Sequence, residues 1–522
     1  MNVIAAPEWT EYRKKNGLDP LGMQNTSVGL YQTLLPGVSN VTLRIRYYGL
    51  YAWLSAVYAR QIGDTNPKTW QRFLRRAEAL YALTAQRRGR ETGVAGILWA
   101  TAKLAAPDGE VVFAEDAEPG SPTHYLKQPW GAYGAAYGSQ LFEIGILAQA
   151  RDHVIPVPSP QLGEALANCF ESELGEICGR YVAALQRGTV SLDELDAFAP
   201  LSPSEIPPDS DERKLYEELL FSPGDAAKPA DQSRRQTLLL ILTLAQQLGR
   251  LPEINDVRWA LYAGCLPEGT ALELAQELDA QRRRWWAYQA NDLSHICFET
   301  LLKFVLDLLA GYPDGLPLGN LIGHAVSEIR SAAGNAFPAD WAGLLVQSPP
   351  VANVWAQDDQ CADLVVANAL MRAARQEAAC NAEHAWAALR LLAMLHNRAR
   401  EGQKQIAESF SGYDSAIFRS ILTETRYLDE QLTAPLDRTV GRLLEERVIR
   451  RHLWIALRKL RYQSDYTFLL EADNGRVRLR DLDGPVFTNP RLGPSITFLR
   501  DIGLLNVDGL TAAGARCIES AA

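Results

Sequence analysis

The chain has 522 residues, 47% hydrophobic and 22% charged, which is the ordinary range of folded domains and excludes a disordered chain, with its lower apolar content and higher net charge. No apolar run reaches the roughly 18–20 residues that a membrane-spanning helix needs. The first twenty residues carry Glu8, Arg13, Lys14 and Lys15 where a signal peptide would be apolar, so the expectation is a cytoplasmic protein with no membrane contact.

The net charge of −10 conceals an asymmetry. Residues 1–104 hold 14 Lys and Arg against 6 Asp and Glu, residues 105–436 hold 24 against 45, and residues 437–522 hold 14 against 11. An acidic body between two basic ends points to binding surfaces at the ends, or to ends that dock on the body. The length suggests about three domains. Composition divides the chain into a basic helical region (1–105), a Gly/aromatic loop with helices (106–197), a Pro- and acid-rich linker (198–232), an acidic helical body (233–436) and a basic C-terminal domain (437–522).

In chain order, residues 1–25 read as irregular and Ser27–Leu35 as a short helix ended by Pro36-Gly37. A long helix is expected from Ser39-Asn40, good N-caps, to about Arg60. Apolar spacing predicts the next helix over Pro67–Arg88. Glu110–Ala114 reads as a strand, and Glu118–Pro122 as a loop. Trp130, Tyr133 and Tyr137 alternate with Gly131, Gly134 and Gly138, which lets backbone approach rings closely. Helices follow over Ser159–Gln186 and Asp211–Leu220. Helical spacing then dominates to Arg461, with breaks near 312–318, 335–352 and 410–414. One helix, Thr270–Ala310, would span roughly 60 Å.

The end of the chain differs. Tyr466–Ala472 and Arg476–Asp481 read as two strands joined by Asp473-Asn474-Gly475, a tight-hairpin signal. A helix over Pro494–Ile502, a short strand pair turning at Asp508-Gly509 and a final helix capped by Thr511 complete it. The fold class expected is mainly α, a multi-domain helical protein with a small α+β C-terminal domain.

Motifs exclude several chemistries. No phosphate-binding loop, dinucleotide fingerprint, H-E-x-x-H zinc motif or nucleophile elbow is present. Seven scattered cysteines without a C-x-x-C pair argue against disulfides and structural zinc, so no metal and no cofactor are expected. The candidate catalytic cluster is Asp292, His295 and Glu299, at i, i+3 and i+7 on one helix face. Such a set serves as acid, base or metal ligands, or as a buried polar network. Glu383, His384 and His396 are too far apart around a helix to share a ligand.

The candidate nucleic-acid contacts are basic. On the helix expected over Arg438–Arg461, Arg447, Arg451, Trp454, Arg458 and Arg461 form one stripe. In the hairpin, Arg476, Arg478 and Arg480 share a face. Arginines in such rows match a phosphate backbone. Arg44, Arg46, Arg72, Arg75, Arg76, Arg87, Arg88 and Arg90, with Tyr47, Tyr48 and Tyr51, read instead as core tyrosines with snorkelling arginines.

Two resemblances add context. The run FLRDIGLLNVDGLTAAG resembles the recognition-helix-and-wing end of winged-helix domains, with a hairpin where upstream helices would stand. Gly17-Leu18-Asp19-Pro20 and LLPGVSNVTLRIRYYGLYAWL (Leu34–Leu54) resemble the N-terminal region of uncharacterised helical proteins from bacterial antiphage-defence gene clusters. That likeness implies a subunit of a multi-gene defence system and carries no site residues. The leading expectation is a non-catalytic subunit contacting DNA or RNA through its C-terminal basic region and partner proteins through its helical body. The alternatives are a metal-dependent nuclease or other hydrolase, and a pure scaffold.

Overall fold

A computed structural model describes residues 19–105, 109–221, 228–348, 363–375, 379–413 and 417–521. The irregular start over 1–18 with Gly17 and Leu18, Cys361, and the breaks at 349–352 and 414 lie outside the described residues. The architecture is mainly α, with strands of only two to four residues. Among the described residues no helix is long and apolar enough to cross a membrane. The chain forms two compact units, each built from two separated stretches: Met1–Leu30 with Trp286–Thr488, and Tyr31–Trp285 with Asn489–Ala522. The Pro- and acid-rich stretch 198–232 falls inside the second of these.

In the unit containing Tyr31–Trp285, the helix expected from Ser39 begins at Arg46. Ser39 and Thr42 close a turn of their own instead, with Ser39 N donating to Thr42 Oγ1 at 2.8 Å. Asn40 is likewise diverted, its side chain donating to the Asn489 carbonyl and accepting from Arg491 N. Pro67–Arg88 forms as expected, capped by Asn66 and ended by Gly89 at φ 74°. The Ser159–Gln186 helix is broken at Gly175 (φ 54°) into Leu162–Leu174 and Glu176–Arg187. Glu110–Val112 is a strand, paired antiparallel with Thr189–Ser191.

The core of this unit holds charge. Arg46 is 1% exposed. Its guanidinium donates Nε and Nη2 to the two Glu212 carboxylate oxygens, each at 3.0 Å, and Nη1 to the carbonyls of Pro200 and Ser202. Arg44 bridges Glu91 and Asp501, fastening the C-terminal helix Leu492–Asp501 beside the start of Arg46–Gln61. Leu492–Asp501 buries Leu492, Pro494, Ser495, Ile496, Phe498 and Leu499, and the hairpin Leu505–Asn506/Gly509–Leu510 follows. Thr511 Oγ1 caps the final helix by accepting from Gly514 N at 3.1 Å.

The helix expected over Thr270–Ala310 runs Gln276–Ala310. It starts late because the Thr270 carbonyl accepts from Leu266 N at 2.8 Å and Ala271 bridges Cys265. Its later part is the axis of the unit containing Trp286–Thr488, where Leu293, Ile296, Cys297, Leu301 and Val305 are fully buried. In the same unit Ala382–Glu401 packs on Leu318–Ala333, Asp363–Arg375, Trp341–Gln347 and Ile421–Asp429. The hairpin pairs Leu470–Asp473 with Arg476–Leu479 through Asn474 and Gly475, both at positive φ. A third strand, Leu316–Pro317, pairs with Arg476–Leu479.

Removing Arg46 would leave Glu212 as an unpaired buried charge. Arg46→Ala is expected to cost about 3–5 kcal/mol, read by chemical denaturation. Arg46→Lys should recover only part, because an ammonium cannot span both carboxylate oxygens and both carbonyls.

Candidate functional site

The structure brings Asp292, His295 and Glu299 together and closes them off. They are 0%, 0% and 2% exposed. His295 Nδ1 lies 3.5 Å from Asp292 Oδ1, and Nε2 lies 3.0 Å from Glu299 Oε1. Neither ring nitrogen has hydrogen-bond alignment, so the attraction is chiefly between charges. Burial alone would lower the His295 pKa, but Glu299 and Asp292 override it and hold the imidazole up to about 10. Burial pushes the Glu299 carboxyl up, against the pull of His295. Asp292 also accepts from Thr488 N and Oγ1, and Gln24 Nε2 reaches Glu299 at 3.3 Å. Asn291, on the next rung, donates to Ser27 and accepts from Ile421 N. The cluster and Asn291 together tie the central helix to three other segments of its unit. Among the described residues no group of three or more His, Cys, Asp and Glu is placed to hold a metal ion.

His384 and His396 serve separate local roles. His384 completes a capping box with Asn381. His396 Nδ1 accepts from Trp341 Nε1 at 3.0 Å and Nε2 donates to Asp429 at 3.0 Å, a neutral tautomer that fits its burial-lowered pKa.

The basic stripe divides. A π-helical stretch, Leu443–Ile449, precedes the helix Arg450–Gln463. Arg447 lies in that stretch, 3.5 Å from Glu424 and over the Tyr427 ring. Arg451 is 7% exposed and donates to the carbonyls of Leu21 and Ile417. Burial, with Arg419 and Arg447 nearby, lowers its pKa to about 10. Arg458, seven residues on, shares nearly the same azimuth, yet it is exposed.

Arg458 and Arg461 are the open members. Both are exposed, and neither has a carboxylate within ion-pair distance among the described residues. Arg458 lies 5.5 Å from the Trp454 ring and Arg461 5.6 Å from the Tyr462 ring. Trp454 is 41% exposed, Leu457 57% and Tyr462 72%. These residues line a cleft of about 680 Å³ together with Ile417 and Phe418. Spacing alone did not mark Leu457, Tyr462, Ile417 and Phe418; the only sequence signal was the Arg461-Tyr462 pair at the helix end.

The hairpin arginines are engaged. Arg476 donates to the carbonyls of Asp314 and Gly315, Arg478 pairs with Asp473 at 3.2 Å, and Arg480 pairs with Glu471. Of the N-terminal arginines, Arg44, Arg46, Arg72, Arg75, Arg76, Arg87 and Arg88 meet carboxylates or carbonyls, and Arg90 is exposed. Arg75 is buried against the carbonyls of Ala117, Leu126 and Gln128. Arg72 and Arg76 meet Glu118, Arg87 meets Asp196, and Arg88 meets Glu205. Tyr47, Tyr48 and Tyr51 are buried.

No protein-family model, curated protein or solved structure matches the chain.

His295→Ala should destabilise by roughly 3–5 kcal/mol, since two buried carboxylates lose their cation. In the native chain the His295 pairing contributes fully below the unfolded histidine value of about 6.5 and fades as pH rises toward about 10. The raised Glu299 carboxyl acts in the same direction. Thermal melts across that window should show stability falling with pH, with a shallower slope in the variant. A catalytic cluster would instead lose activity at unchanged stability.

Proposed function

We propose that this chain is a non-catalytic subunit that contacts nucleic acid through the exposed edge of the Arg450–Gln463 helix. The observation that carries the reading is how Arg458 and Arg461 are held. Aromatic rings position them without neutralising them. A carboxylate partner consumes guanidinium donors and cancels charge, whereas a ring face attracts the cation and leaves its N–H edge for another acceptor. Two arginines three residues apart on a helix sit roughly 5–6 Å apart at Cβ and can meet successive phosphates of one strand.

The resemblance at Leu34–Leu54 supports a place in a bacterial antiphage-defence complex, with partner proteins on the helical body. Co-purification with the products of neighbouring genes tests that context. The burial of Asp292, His295 and Glu299 gives a structural role to the residues on which a hydrolase reading would rest.

Charge reversal tests the interface. Arg458→Glu with Arg461→Glu should weaken binding of a labelled oligonucleotide at least tenfold. It should also flatten the salt dependence by about 0.7 per lost contact on a single strand. Arg478→Glu with Arg480→Glu, which removes engaged arginines, should change binding much less. Equal effects from the two pairs would refute the assignment to the helix edge.

A further inference from the structure

We infer that the cleft beside the Arg450–Gln463 helix takes unstacked bases of a single strand, so that the chain recognises single-stranded nucleic acid rather than duplex. The inference rests on the nucleic-acid reading above and adds the substrate form. Its basis is the combination of charge and rings in one concavity. Arg458 and Arg461 stand beside Trp454 and Tyr462, and Phe418 lines the same cleft. Phe418 is itself braced edge-on by Tyr413, ring centroids 5.7 Å apart.

A volume of about 680 Å³ lies in the range of sites that enclose a small molecule, which gives room for a base and its sugar. Exposed rings beside cations are the elements of a sequence-tolerant strand groove, because every base offers a π-face. Duplex DNA keeps its bases stacked inside and would meet this cleft only through phosphates. The rings would gain nothing from it, so only the charge contribution would remain. The charge complementarity is local: among the described residues no carboxylate lines the cleft, although the chain as a whole carries net −10.

Fluorescence anisotropy on the full chain tests the inference with four probes: a labelled oligothymidylate, the same strand with abasic sugars, its duplex with oligodeoxyadenylate, and oligouridylate. The base-bearing strand should bind roughly 5- to 100-fold tighter than the abasic strand, the span expected for stacking of one base. Trp454→Ala with Tyr462→Ala should erase that difference while leaving salt-sensitive binding of the abasic strand. Trp454→Phe with Tyr462→Phe should restore it, which separates ring stacking from a folding defect. The thymidylate and uridylate arms tell DNA from RNA, and tighter binding of either over duplex supports the inference. Equal affinity for abasic and base-bearing strands overturns the stacking role while the charged edge stands. Duplex bound as tightly as single strand overturns the preference. No binding of any probe overturns both readings and leaves the face to a protein partner.

Discussion

A charge taken out of water costs several kilocalories per mole unless the protein supplies a partner, and the arrangement of this chain follows from meeting that demand many times. Arg46, Arg75, Glu78 and His295 are all essentially buried. Glu78 shows how completely the demand is met. Its carboxylate accepts from Tyr51 and Tyr125 and from the backbone N–H groups of Ala132 and Tyr133. Each such partner comes from a distant part of the sequence, so satisfying the charge fixes which segments meet. Arg44 draws residues 91 and 501 to one place; Asn291, Asp292 and Glu299 draw residues 24, 27, 421 and 488 to another. Each unit is thereby closed from two separated stretches of chain.

The same demand sorts the arginines by their surroundings. A guanidinium has five donors and a fixed charge. Where carbonyls take the donors, as at Arg75 and Arg476, or carboxylates take the charge, as at Arg478 and Arg480, little is left for a ligand. Rings do something different. Contact with Trp454 or Tyr462 restricts an exposed arginine without consuming its N–H edge, so the charge stays available in an ordered position. Counting basic residues by region made both ends of the chain look like binding surfaces. Among the arginines of the C-terminal stripe and hairpin, Arg458 and Arg461 are the exposed ones beside rings rather than beside carboxylates or carbonyls.

Local signals carried over where local chemistry decides. Apolar spacing marks the helix Pro67–Arg88, and Asn474-Gly475 sets the hairpin. The spacing of Asp292, His295 and Glu299 correctly placed them on one face. The errors arose where a distant segment competed. Asn40 is a good cap in isolation, but Asn489 and Arg491 claim its side chain first. The strand Thr189–Ser191 exists because Glu110–Val112 lies beside it, which periodicity within either segment does not reveal. Arg451 and Arg458 have equivalent positions in the helical repeat. Only the backbone of Leu21 and Ile417, covering one and not the other, separates a buried structural cation from an exposed one.

The helix that carries the open arginines is anchored by its buried residues. His452 is fully buried, and burial lowers its pKa to about 4, so the ring is neutral. Its Nε2 accepts from Leu469 N at 2.9 Å, which assigns the proton to Nδ1, 3.1 Å from the Pro20 carbonyl. One ring therefore pins the start of the hairpin and the beginning of the described chain to the same helix turn. Lys459 reaches the Asp19 carbonyl at 3.1 Å, and Arg451 reaches that of Leu21. These contacts fix the helix in rotation and along its axis. A support of this kind is what the proposed nucleic-acid reading requires, because preorganised side chains lose little further freedom on binding. The buried contacts thus set where the exposed edge of the helix, with Arg458 and Arg461, stands.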